Sequence, residues 1–202
     1  MNSKVKRQKL KVEKCNLYLL MSQHNPNSQF PIPNSMQMVF LIGMPGAGKT
    51  WWGGKLAAEY QLLFIDLDTF IEQHEKASIP ALFATYGELG YREREQKCLQ
   101  KLVKENKESA IVACGGGTPC FYDNMQLMKE AGVVIYLKAE TTTLIRNLNE
   151  SNCERPLLKG KNNPANFLGK LLKARKAFYE QAHYILQADG ISVSTFDEII
   201  SL

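Results

Sequence analysis

Eight residues constrain this chain more than any other stretch: Gly43-Met44-Pro45-Gly46-Ala47-Gly48-Lys49-Thr50. They fit the pattern G-x-x-x-x-G-K-[ST], and they follow the apolar run Met38-Val39-Phe40-Leu41-Ile42, which reads as a buried parallel strand. A strand that feeds a glycine-rich turn and then a helix makes a phosphate cradle. The glycines let the backbone curl until successive N–H groups face phosphate oxygens, and the helix adds its positive end. Gly43, Gly46, Ala47 and Gly48 supply that backbone, Lys49 reaches the β- and γ-phosphates, and the Thr50 hydroxyl holds Mg²⁺. The ligand class is therefore a nucleoside triphosphate such as ATP with Mg²⁺. The motif leaves the acceptor open, and it is equally compatible with hydrolysis that drives motion.

Similar apolar runs recur at 62–65, 110–113, 133–137 and 184–186, separated by longer segments of helical periodicity. Strand alternating with helix predicts an α/β fold with a parallel sheet. We read residues 36–202 as one domain without internal repeats. At 45% hydrophobic and 22% charged the chain can bury a core, and no apolar run is long enough to cross a bilayer. Five cysteines, an odd number without a C-x-x-C pair, point to reduced thiols and a cytoplasmic location. His24, His74 and His183 form no cluster by spacing, which argues against a zinc centre, and neither Cys114 nor Cys120 reads as a nucleophile or metal ligand.

The net charge of +5 sits entirely in the first 35 residues, where Lys4, Lys6, Arg7, Lys9, Lys11 and Lys14 face Glu13 alone. That stretch reads as a flexible basic and polar extension, or as sequence ahead of a true start at Met36 or Met38. A neutral body argues against nucleic acid as partner of the folded domain; a DNA-binding arm would show salt-sensitive binding lost on deleting residues 1–35.

Charges also fall where a core is expected. Phe64-Ile65-Asp66-Leu67-Asp68 closes the second strand, and in an extended chain Asp66 and Asp68 project to one side. One can approach Mg²⁺ while the other accepts a proton from an acceptor hydroxyl. Asp68 also suits the cap of the helix that follows, and the two roles are not exclusive. From Glu88 to Lys104, Tyr91, Cys98, Leu99, Leu102 and Val103 share one helical arc, and Arg92 and Glu95 fall inside it. From Asn166 to Ala182, Leu168, Leu171, Leu172, Phe178, Tyr179 and Ala182 form the inner face, with Arg175 among them. An inward charge is costly unless paired or met by a ligand. An Arg92–Glu95 ion pair accounts for one arginine, and two guanidinium groups at a pocket suit a carboxylate. Gly115, Gly116 and Gly117 follow the third strand, where backbone can come close to a ligand. The polar segment 152–164 reads either as a surface loop or as a lid that brings Arg155 to the transferring phosphoryl group.

Taken in order, GMPGAGKT, the DLD at 66–68, GELGYREREQ at 87–96, CGGGTP at 114–119, RPLL at 155–158 and Arg175-x-x-x-Tyr179 resemble the shikimate kinase family over nearly all of residues 38–202. The resemblance implies a P-loop kinase of three α/β/α layers on a five-stranded parallel sheet, order 2-3-1-4-5, of the nucleoside-monophosphate-kinase type. It implies transfer of phosphate from ATP to the 3-hydroxyl of shikimate; we expect the chain to act as a monomer. Asp68 would bind the acceptor hydroxyls and act as base, and Asp66 would act near Mg²⁺. Arg92 and Arg175 would clasp the carboxylate, and Gly116 with its neighbours would bond the ring hydroxyls. Arg155 would reach the phosphates, and Arg146 would lie against adenine. Tyr91 stands where the family usually has Phe, and the tandem Trp51-Trp52 is unusual after such a loop. A gluconate-type kinase would need the loop but not two inward arginines, and a non-catalytic nucleotide-binding module would not need the catalytic positions that are filled here.

Overall fold

The computed structural model describes residues 38–150 and 164–200. The basic extension and the segment 152–163, Arg155 included, lie outside the described residues.

Five strands form one parallel sheet: β1 (Met38–Ile42), β2 (Leu63–Asp66), β3 (Ala110–Ala113), β4 (Gly132–Lys138) and β5 (Tyr184–Gln187), in the order β2-β3-β1-β4-β5. The order matches the expectation from the family resemblance. Every strand pair is parallel, with Val39 beside Ile111 on one flank of β1 and beside Val133 on the other. Burial follows the order. All residues of β1 and β3 are buried, while the edge strands β2 and β5 are only partly so. Covered on both faces, the inner strands need the unbroken apolar runs that mark them in the sequence.

Helices α1 (Lys49–Tyr60), α2 (Leu67–Glu75), α3 (Ile79–Glu105), α4 (Asn124–Ala131), α5 (Thr141–Glu150) and α6 (Pro164–Tyr179) connect the strands, and a short α7 (Asp197–Ile200) follows β5. Gly53 lets α1 settle on the sheet, because a Cβ there would lie 2.5 Å from Phe64 Cε2. Helix α3 begins well before the predicted Glu88. It is capped by Ser78 and broken at Gly87, whose φ of 64° is open to glycine without strain. Tyr91, Arg92, Glu95, Cys98, Leu99 and Leu102 are its buried face, as the periodicity predicts. On α6 the prediction holds for Leu168 and Tyr179 but fails for Phe178, which is exposed. Arg175 and Tyr179, one turn apart, take the inward stripe, and Phe178 sits beside it. Trp52 is buried against Phe196, ring centroids 5.4 Å apart, while Trp51 is exposed and meets Trp52 edge-on.

Candidate active site

The strand order sets three chain segments side by side at the carboxyl ends of β2, β3 and β1, where open parallel sheets bind ligands. They are the aspartates at 66–68, the glycines at 115–117 and the loop at 43–48.

In the loop after β1, Gly46 (φ 88°) and Gly48 (φ 85°) take left-handed conformations, and a Cβ on Gly46 would meet the Leu144 carbonyl at 2.7 Å. The Asn147 amide of α5 donates to the Gly46 carbonyl at 2.8 Å and fixes the turn from outside. No side chain caps the N-terminus of α1, and its first turn holds no acid, so its leading amides and positive end are left for an anion. The buried Lys49 donates to the carbonyls of Gly43 (2.9 Å) and Met44 (3.0 Å), which holds its ammonium over the loop. The Thr50 hydroxyl donates to Asp66 Oδ2 at 2.9 Å. A hydroxyl beside a carboxylate at the rim of the cradle is a hard-oxygen donor set that fits Mg²⁺.

The two aspartates do not share one face of a strand. β2 ends at Asp66, and Asp68 lies in the first turn of α2. The cap is Asp66, whose Oδ1 accepts from the Thr69 amide at 3.3 Å, so the capping role read for Asp68 falls two residues earlier. Asp68 turns instead toward the glycine loop, its Oδ1 3.1 Å from where a Gly115 Cβ would stand.

Arg92 is buried against the same loop. A Cβ on Gly117 would lie 2.6 Å from its guanidinium carbon, so only glycine leaves room for it there. The guanidinium also lies over the rings of Phe121 (4.6 Å), Tyr91 (5.0 Å) and Phe83 (5.9 Å). Its Nη1 donates to Glu95 Oε2 at 2.7 Å, and Glu88 lies 3.5 Å from Nη2. The expected Arg92–Glu95 pair is present, together with a second acid that sequence reasoning did not assign. Burial works against the Arg92 charge, but Glu95 foremost outweighs it, and the guanidinium holds its proton more firmly than usual. Glu95, fully buried, accepts a second bond from Thr118 Oγ1 at 2.7 Å. Thr118 is held in turn by Asn124, whose amide donates to its carbonyl. Glu95 is therefore the post that fixes both Arg92 and the end of the glycine loop.

Arg175 reaches the loop from α6. Its Nη1 lies 3.4 Å from where a Gly116 Cβ would stand, and that buried nitrogen has no hydrogen-bond partner among the described residues. One turn on, the Tyr179 hydroxyl donates to the Gly116 carbonyl at 2.5 Å and its ring stacks on Tyr136. Tyr179 thus anchors the helix that aims Arg175. Neither it nor Thr118, Asn124 or Asn147 was assigned a role at the site from sequence, because their partners are backbone carbonyls or side chains distant in the chain.

Asp68, Arg92 and Arg175 therefore surround one glycine loop, and Pro45 of the phosphate cradle lies 2.8 Å from the same Gly116 position. Arg146 is exposed on α5, next to Asn147. Burial pushes the thiols of Cys114 and Cys120 up, that of Cys120 to about 11, so neither carries a thiolate suited to attack.

The family profile described as shikimate kinase matches residues 45–202. The chain belongs to the shikimate kinase family. The shikimate kinase of Phocaeicola vulgatus is 41% identical over 158 residues, covering 77% of this chain and 89% of that relative. The crystal structure of shikimate kinase from Bacteroides thetaiotaomicron superposes with a TM-score of 0.78 at 35% identity, covering 83% of this chain and 100% of that one. The Acinetobacter baumannii enzyme, solved in complex with shikimate, gives 0.73 at 32% identity over 81% of this chain and 90% of that one. Family membership places the triphosphate motif and the arginine-lined loop in a kinase.

Proposed function

We propose that this chain phosphorylates the 3-hydroxyl of shikimate with ATP, and that Asp68, Arg92, Arg175 and Gly115–Gly117 form the acceptor site. The observation that carries the reading is the convergence of a carboxylate and two buried arginines on a glycine loop that touches the phosphate cradle. Two guanidinium groups give a planar acid paired N–H donors, and the glycines expose backbone to ring hydroxyls. Arg175 Nη1 has a bond to give. The sheet relates the acceptor site to the cradle by one strand spacing, about 5 Å, so donor and acceptor meet without domain transport.

ATP would supply the transferable phosphoryl group, and Mg²⁺ would neutralise part of its charge. The chain does the rest. Gly43, Gly46, Ala47 and Gly48 bond the phosphates through backbone amides. Lys49 would leave its carbonyl partners for the β- and γ-oxygens, and Thr50 with Asp66 would hold the cation. Arg92 and Arg175 clamp the carboxylate, which turns the alcohol toward Asp68. Asp68 accepts the hydroxyl proton as the oxygen attacks the γ-phosphorus in line and the bond to the departing ADP oxygen breaks, with Arg155 adding positive charge to the transferring group. Arg146 flanks the base.

The test is a coupled assay on the purified chain. ATP consumption should require shikimate and Mg²⁺ and should not occur with gluconate. Phosphorus NMR of the product should place the ester on the 3-oxygen. Turnover of gluconate, or ATP binding without transfer to any acceptor, would replace this reading with one of the rivals.

A further inference from the structure

Spacing alone keeps the histidines apart, but the fold brings one of them to other donors. His74 and Glu75 end α2, Cys98 lies on the buried face of α3, and one donor atom from each lies within 4.8 Å of the others. We propose that His74, Glu75 and Cys98 bind a divalent cation of the zinc class at the junction of α2 and α3. The donor set selects the ion. One imidazole nitrogen, one thiolate and one carboxylate oxygen suit a borderline-soft tetrahedral cation, with water in the fourth place, whereas Mg²⁺ and Ca²⁺ take oxygen alone. Access is open, because His74 is exposed and Glu75 half-buried, while Cys98 gives the site a closed floor.

Two cations already occupy these groups. Arg94 Nε lies 3.1 Å from Glu75 Oε2, and Lys101 Nζ lies 3.4 Å from His74 Nδ1. Arg94, Cys98 and Lys101 succeed one another along one face of α3, so the helix offers α2 a cation, a thiol and a cation. In the metal-free chain Arg94 pairs with the Glu75 carboxylate, and the Lys101 ammonium lies beside the His74 ring. A dication takes their place, and their tips turn to solvent. Cys98 would bind as the thiolate, releasing its proton to solvent. The cation would tie α2, whose first turn carries Asp68, to α3, which carries Arg92 and Glu95. The site is separate from the Thr50–Asp66 pair and does not depend on the acceptor reading.

The probe is Co²⁺ added to the full chain in millimolar Mg²⁺. One equivalent should give the intense thiolate-to-cobalt absorption of a tetrahedral site, and Zn²⁺ should displace it. Cys98→Ala should abolish the band and Cys120→Ser should keep it. His74→Ala alters an exposed residue, so its folding is not at issue, and it should weaken binding at least about tenfold. Absence of the band from the unaltered chain overturns the proposal. So does its persistence in Cys98→Ala or unchanged affinity in His74→Ala.

Discussion

Arg92 and Arg175 carry the same charge in different company. Arg92 is bonded to a fully buried carboxylate and boxed by three aromatic rings, with its buried Nε lacking a hydrogen-bond partner among the described residues, whereas on Arg175 it is the terminal Nη1, facing the glycine loop, that lacks one. Removing Arg92 strands Glu95 as an uncompensated buried charge, a loss of about 3–5 kcal/mol. Removing Arg175 strands nothing of that kind. Arg92→Ala should therefore lower both denaturant stability and acceptor affinity, while Arg175→Ala should raise the acceptor KM with nearly unchanged stability. Paired urea melts and acceptor titrations separate the two, and equal destabilisation would refute the distinction. Asp68→Asn keeps the size of the side chain but removes the base. Turnover should fall by about 10²–10⁴ while nucleotide affinity, measured by calorimetry, stays within twofold or so. Normal turnover would take Asp68 out of the mechanism.

At the scale of elements, the glycine loop works by what it lacks. Gly117 has φ −97°, an ordinary value for any residue, so its restriction is steric: a methyl group there meets the Arg92 guanidinium. Gly117→Ala should displace Arg92 and raise the acceptor KM about tenfold or more, equivalent to about 1.4 kcal/mol, with ATP affinity retained. An unchanged acceptor KM would show that the loop yields instead. The β4–β5 ladder has a different weak point. Its pairing begins at Ile135 and Tyr184, and the ring of His183 extends it by accepting the Val134 N–H at 3.1 Å. Burial foremost, then Lys129, lowers the His183 pKa in the folded chain. The folded state therefore disfavours the proton, and the contribution is complete above the unfolded value of about 6.5 and lost as pH falls below it. The stability difference between the chain and His183→Gln should shrink on acidification from pH 7 toward 5. A difference that stayed constant with pH would rule the linkage out.

Over the whole molecule, residues distant in sequence close the fold. The Tyr60 hydroxyl at the end of α1 donates to Asp197 Oδ1 at 2.6 Å, and Trp52 packs on the buried Phe196, so the last helix is fastened to the first. Phe196→Ala should cost about 3–5 kcal/mol and expose Trp52, read as a red shift in fluorescence beside the already exposed Trp51. An unshifted spectrum with full stability would mean the C-terminal segment is held elsewhere. This packing also gives half of the Trp51-Trp52 pair a reason that the sequence could not supply.

What could be read from the chain alone were features whose cause is local. β1 and β3 appear at the predicted residues because parallel strands covered on both faces must be continuously apolar, and Gly46 and Gly48 announce left-handed turns that other residues resist. Because the angle between residues on a helix is fixed, helical periodicity alone turns Arg92 and Arg175 inward, and both are buried. Tertiary structure decided the partners. That Glu95 also meets Thr118, that Tyr179 reaches the Gly116 carbonyl, and that His74 comes to face Cys98 all depend on distances between elements. A hydrogen bond or ion pair acts over about 3 Å, and no spacing along one strand or helix encodes where a second element will lie.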